Sequence, residues 1–224
     1  MPCIVGVLAL QGGVAEHVDH LKMLGSLDEV REVRLPEDML GLDGLIIPGG
    51  ESSAIAHLAA TAGLIEPLRE WVTSGKATWG TCAGLIMIAD EVKNQKRGGQ
   101  LLIGGLHATV YRNYFGSQLG SFKQTLAIPD ALAASGVLAN STSDYEAVFI
   151  RAPAVEKIAD DVQVLARVVQ EKTSEYAAGD GTTEVIVAVR QGAILGTSFH
   201  PELTADSRWH QYFVSMVKDM QSNK

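Results

Sequence analysis

The chain has 224 residues, 46% of them hydrophobic, with a formal net charge of −8 and two cysteines. This predicts one α/β domain over residues 1–224 with a substantial core, and the negative charge argues against sequence-independent binding to nucleic acid or anionic membrane. No apolar run approaches the ~20 residues of a membrane span, no basic stretch precedes the first strand, and two cysteines make no disulfide framework, so no secretory signal and a reducing, cytoplasmic compartment are expected.

Cys3-Ile4-Val5-Gly6-Val7-Leu8-Ala9-Leu10 is continuously apolar, the pattern of a strand buried on both faces. Gln11-Gly12-Gly13 turns it into a helix over 14–24, with Val14, Val18, Leu21 and Leu24 on one face. His17 and His20 sit three apart on that helix. Without a third ligand they read as surface histidines rather than a metal pair. Residues 29–35 alternate and predict a more exposed strand. Leu45-Ile46-Ile47 is a buried strand running into Pro48-Gly49-Gly50, where bare backbone can approach a ligand and offer N–H groups to a developing oxyanion. Alone, Pro-Gly-Gly is only a turn signal. A helix over 53–62, capped by Ser52 or Ser53 and holding a packed His57, precedes a second over 64–74.

Residues 75–79 then read as a short strand, and Leu85 to Ala89 as the start of an apolar helix. Between them lies Gly80-Thr81-Cys82-Ala83-Gly84, the thiol form of a nucleophile elbow. Flanking glycines suit a strained bend that side chains would crowd, and a helix N-terminus can lower a thiol's pKa or hold an anion. A buried cysteine in a Gly-rich turn is an equal reading of this stretch alone.

Residues 93–100 read as a loop, and 106–111 and 120–128 as antiparallel strands. Polar 131–146 leads back to the core at Ala147-Val148-Phe149-Ile150, and 162–169 is a strand. Polar, Gly-rich 170–182 reads as an exposed hairpin loop. Residues 184–190 and 193–198 form a hairpin around Gln191-Gly192 that delivers His200-Pro201-Glu202. His200 and Glu202 are two apart, so on an extended segment both point the same way, and Pro201 keeps helix away from His200. A carboxylate there can orient an imidazole, which can take a proton from a thiol. The last helix, over 206–220, buries Trp209, Phe213, Met216, Val217 and Met220, leaving His210 on its exposed side. Strands alternating with helices predict a doubly wound, mostly parallel, flavodoxin-like sheet with helices on both faces and an antiparallel extension; Cys82, His200 and the Pro-Gly-Gly turn all follow strands.

Together the strand ending Pro48-Gly49-Gly50, the Gly80–Gly84 elbow and His200-Pro201-Glu202 resemble class I, triad-type glutamine amidotransferases. Val7 to Gly12, Ile47 to Ser52, Arg112-Asn113 with Phe115-Gly116 and Gln118, Phe149 to Pro153, and Ser198 to Thr204 resemble in particular the glutaminase subunits of pyridoxal 5′-phosphate synthase. The resemblance implies a Cys82–His200–Glu202 triad, an oxyanion hole from the N–H groups of Gly50 and Ala83, and glutamine contacts from Gly50, Glu51, Ser52, Arg112, Ile150 and Arg151. It implies L-glutamine as substrate, no metal or organic cofactor, and a hetero-oligomer in which a synthase subunit receives the ammonia and orders the oxyanion hole. Ser117 departs from the family's usual arginine. The alternatives are a glutaminase of another pathway, an elbow-cysteine peptidase and a non-catalytic regulatory subunit.

Overall fold

The structure, a computed structural model, describes residues 2–95, 98–116, 121–135, 144–171 and 182–222. Five parallel strands form one half of the main sheet: β1 (Ile4–Leu8), β2 (Glu29–Val33), β3 (Gly44–Ile47), β4 (Ala77–Thr81) and β12 (Ile194–Thr197), in the order β2-β1-β3-β4-β12. That is the doubly wound 2-1-3-4-5 order, with the last strand of the chain in fifth place. β3, β4 and β12 are buried along their whole length, β3 as an unbroken apolar run and the other two with Thr78, Thr81 and Thr197 buried among apolar residues.

The sheet continues through antiparallel neighbours, β12-β11-β9-β6, where β11 is Thr182–Gln191, β9 is Ala154–Ile158 and β6 is Leu106–Tyr111. β5 (Ala89–Lys93) closes the edge parallel to β6, and β10 (Gln163–Glu171) pairs with β11 alone. β7 (Ser121–Leu126) and β8 (Tyr145–Ile150) form a separate two-stranded sheet. Residues 106–111 and 121–126 are therefore strands but not partners. Strand periodicity identifies a strand without naming its neighbour. Strand β9 has no counterpart among the sequence-based expectations. The predicted loop over 170–182 is bracketed by the β10–β11 pairing, its residues 172–181 lying outside the described residues, as do Ser117 and Gln118.

Helices cover both faces. One core joins α1 (Val14–Met23) and α6 (Arg208–Ser222) to the sheet through Val18, Leu21, Trp79, Trp209, Phe213 and Val217, and the short α5 (Asp130–Ala134) joins it through Leu132. The opposite core gathers α2 (Ser52–Thr61), α3 (Ile65–Thr73) and α4 (Ala83–Ile88) around Leu45, Ile55, Leu68, Trp71 and Leu85. α4 stops after six residues and the chain becomes β5, so the apolar run after the elbow is a helix shorter than expected. Glu51, not Ser52 or Ser53, caps α2: its carboxylate accepts the Ala54 N–H at 2.8 Å. A carboxylate also suits the positive helix end.

Candidate active site

Loops leaving the carboxyl ends of β1, β3, β4 and β12 converge on one cleft of about 450 Å³, where a doubly wound sheet places its ligands. Cys82 stands at its floor, between β4 and α4, with φ of 48° and ψ of −101°. Its N–H is tied to the Thr197 carbonyl at 2.8 Å, so β12 holds the bend. Close approach explains the flanking glycines: a Cβ on Gly84 would lie 1.9 Å from the Ile47 carbonyl oxygen, and one on Gly80 would lie 2.5 Å from the Gly84 carbonyl carbon. Cys82, Asn113 and Arg151 have positive φ and all line this cleft. Strain of that kind persists only where its surroundings enforce it, and it collects at functional sites.

His200 follows β12, its N–H donated to the Val148 carbonyl at 2.8 Å. Its Nδ1 meets Glu202 Oε1 at 2.7 Å, and both residues are buried. The segment is not extended as expected. Pro201 opens a 3-10 turn over Pro201–Leu203, and that turn folds the carboxylate back under the ring. Burial alone pushes the His200 imidazole down, but the Cys82 side chain and the Glu202 carboxylate reverse this and push it up to about 10. Burial likewise raises the Glu202 carboxyl, yet the His200 hydrogen bond holds it below the ordinary carboxylate value. Gly49 sits against both partners: a Cβ there would lie 2.4 Å from His200 Cε1 and 3.2 Å from Cys82 Cβ.

The remaining sequence-predicted residues surround this centre. Gly50 and Ala83 line the cleft. The Gly49 carbonyl accepts the Gly13 N–H at 3.1 Å, and Gln11 Oε1 accepts the Glu51 N–H at 2.7 Å, so the loop after β1 braces the Pro-Gly-Gly turn. Glu51 accepts hydrogen bonds from Ser53 and Arg112, and Ser52 donates its hydroxyl to Gln100. Both therefore line the cleft with their side chains already hydrogen-bonded. Arg112 is buried; Nη2 pairs with Glu51 at 3.1 Å, while its Nε is buried without a partner. Ile150 and Arg151 stand at the rim, and the Ile150 carbonyl lies 4.0 Å from Cys82 Sγ.

The histidines outside this centre reverse the sequence-based expectation. His17, His20 and His210, expected on helix surfaces, are buried at 0%, 4% and 0% exposure, whereas His57, expected in the core, faces solvent. The three buried rings pack together where α1 crosses α6, directly behind Glu202. Gly13, Val14 and the α1 face predict a helix against the sheet, but nothing local announces that its histidines meet partners from β4, α6 and the turn after His200.

A cysteine on a strained strand-to-helix elbow, facing a histidine paired with a carboxylate at the carboxyl edge of a doubly wound sheet, defines the class: an α/β protein with a nucleophile-elbow cysteine site. Residues 7–219 match the SNO glutamine amidotransferase family, and the chain belongs to it. It is 47% identical over 227 residues to the probable pyridoxal 5′-phosphate synthase subunit PDX2 of Arabidopsis thaliana, covering 97% of this chain and 87% of that one. It is also 47% identical over 216 residues to the pyridoxal 5′-phosphate synthase subunit PdxT of Streptomyces avermitilis, covering 96% and 94%. A crystal structure of a glutamine amidotransferase, 41% identical, superposes with a TM-score of 0.77 over 96% of this chain and 98% of that one. A glutamine amidotransferase from Thermotoga maritima, 12% identical with a TM-score of 0.56 over 98% and 85%, shares the fold.

Proposed function

We propose that this chain is the glutaminase subunit of a pyridoxal 5′-phosphate synthase and that Cys82, His200 and Glu202 are its catalytic triad. The observation that carries the reading is His200 set between the Cys82 side chain and the Glu202 carboxylate, the latter at 2.7 Å. The Cys82 thiolate attacks the side-chain amide carbon of L-glutamine, and the Gly50 and Ala83 N–H groups take the oxyanion. His200, charged and oriented by Glu202, gives its proton to the leaving ammonia. It then takes a proton from the water that cleaves the γ-glutamyl thioester to glutamate. Arg112 supports substrate recognition: its buried, unpartnered Nε is a donor that a substrate carboxylate would satisfy. Gly50, Glu51, Ser52, Ile150 and Arg151 complete the pocket. None of these steps calls on a metal or an organic cofactor.

Released into water, the ammonia would be lost, so the partner is a synthase subunit that consumes it. The protein works in the cytoplasm as one domain, with no nucleic-acid or membrane partner. Among the described residues no helix is long and apolar enough to cross a membrane. The Pro48-Gly49-Gly50 turn is the part that the partner orders, because glycine peptides reorient at low cost. Ammonia release from glutamine, measured with and without the synthase subunit of the same organism, tests this. Activity that needs the synthase and is lost in C82A supports the reading. Full activity of the lone chain overturns the partner-ordered oxyanion hole, and activity in C82A overturns the triad.

A further inference from the structure

Glu202 has two carboxylate oxygens, and only Oε1 is used by His200. Oε2 is buried and has no hydrogen-bond partner. The ring of His17 faces it from α1, with Nε2 at 3.5 Å from Oε2 and 3.2 Å from the Thr81 hydroxyl. On its other side His17 Nδ1 lies 2.9 Å from His210 Nε2, and His20 stacks on His210 at 4.4 Å with its Nε2 2.9 Å from the Thr204 carbonyl.

These contacts fix the proton positions. A carbonyl only accepts, so His20 carries its proton on Nε2, leaving Nδ1, which is buried without a partner, as a bare lone pair. His210 Nδ1 is also buried and unpartnered. Placing the His210 proton there would strand a buried N–H, whereas placing it on Nε2 lets it donate to His17 Nδ1. His17 then carries its proton on Nε2, aimed at Thr81 and the orphan carboxylate oxygen. The titratable groups facing His17 among the described residues are Glu202 and His200 from the segment after β12, His20 from its own helix and His210 from α6; β4 contributes only Thr81 and Trp79. Burial drives His17 down to about 4 and His210 well below the ordinary imidazole value, so both rings are neutral near pH 7.

We infer that His17 is a positioning residue for the triad: its Nε2–H holds the second oxygen of Glu202, keeping the carboxylate ionised and turned toward His200, while His210 selects the tautomer that makes this possible. At 3.5 Å the contact is longer than an ordinary hydrogen bond. It acts as an N–H dipole directed at a buried charge, which in a low-dielectric site counts for more than in water. The inference rests on the triad reading and deepens it.

The test measures glutamine hydrolysis, with the synthase subunit present, across pH for wild type, C82A, H17F, H17Q and H210F. H17F is expected to lower kcat about 10- to 100-fold with KM within about twofold. It also moves the acid limb of the kcat profile up by about one unit, because a carboxylate that loses a donor takes up its proton more readily. H17Q, whose amide N–H reaches the same oxygen, restores most of the rate and returns the limb, and H210F shifts the limb the same way by less. A merely structural His17 would lower melting temperature and active fraction without moving the profile. Profiles of H17F and H210F superimposable on wild type overturn the inference, and if H17F does not fold, H210F decides it by the same criterion. Inactive wild type or active C82A instead strikes the triad itself, so the two failures are distinguishable.

Discussion

The two halves of the main sheet make a useful contrast. In the parallel half, β3, β4 and β12 are buried at every position, and the loops that follow them carry Gly50, Cys82 and His200. In the small second sheet the strands alternate, β7 as exposed and half-buried, β8 largely as buried and exposed, and in the antiparallel part β6 has a solvent-facing His107 and a half-buried Tyr111; β8 ends at Ile150 beside Arg151, and β6 leads to Arg112. Proton transfer and thiol attack demand placement to a fraction of an ångström, and a strand packed on both faces has no other position to take. Contacts to the outer part of a substrate tolerate more movement, and strands with a solvent face allow it. On this view mutations behind the parallel half should strike kcat, and mutations in the antiparallel part should strike KM.

The sharpest way to break that contrast is at the centre. C82A should remove glutamine hydrolysis by ~10⁴-fold or more, and H200N by ~10²–10⁴-fold, read as ammonia release at saturating glutamine with the synthase subunit present. G49A comes next: its Cβ would lie 2.4 Å from His200 Cε1, so the ring must shift, and a displacement near 1 Å should cost ~10²-fold in kcat. R112Q, in the antiparallel part, should raise KM about 10- to 100-fold and spare kcat, as expected for one lost charged hydrogen bond. If R112Q instead lowers kcat as deeply as G49A, the division of labour fails.

The smallest effect is one of stability. His17 takes up its proton near pH 6.5 when unfolded but only near 4 when folded, so between these values the unfolded chain binds more protons and stability falls as pH is lowered. From pH 7 to 5 the wild type should lose about 2 kcal/mol through this residue, a loss absent from H17F. His200 works the other way, its folded value being raised: its contribution is complete below its unfolded value and fades as pH rises toward 10. Urea denaturation of wild type and H17F at both pH values isolates the His17 contribution, and parallel losses in the two would show that it is not the titrating group.

Much of this was written locally. A run such as Leu45-Ile46-Ile47 before Pro-Gly-Gly can only be a buried strand entering a tight turn, and the glycines around Cys82 announce a bend without room for side chains; the structure agrees on both. That Cys82, His200 and Glu202 share one cleft was legible because the elbow and the Pro-containing turn each carry a local signature, and because the αβ alternation brings strand ends to one edge. The sequence by itself thus determined the parallel strands, the elbow and the strand ends that carry Cys82 and His200, since backbone sterics and hydrophobic period act over a few residues. Only the tertiary structure decided which strands pair, and which histidines lie inside. His17 and His210 are 193 positions apart and are buried because each satisfies the other's ring nitrogen behind Glu202, a condition no local pattern records. Helical periodicity says which face is apolar; a polar residue is buried only where distant partners meet its hydrogen-bonding groups.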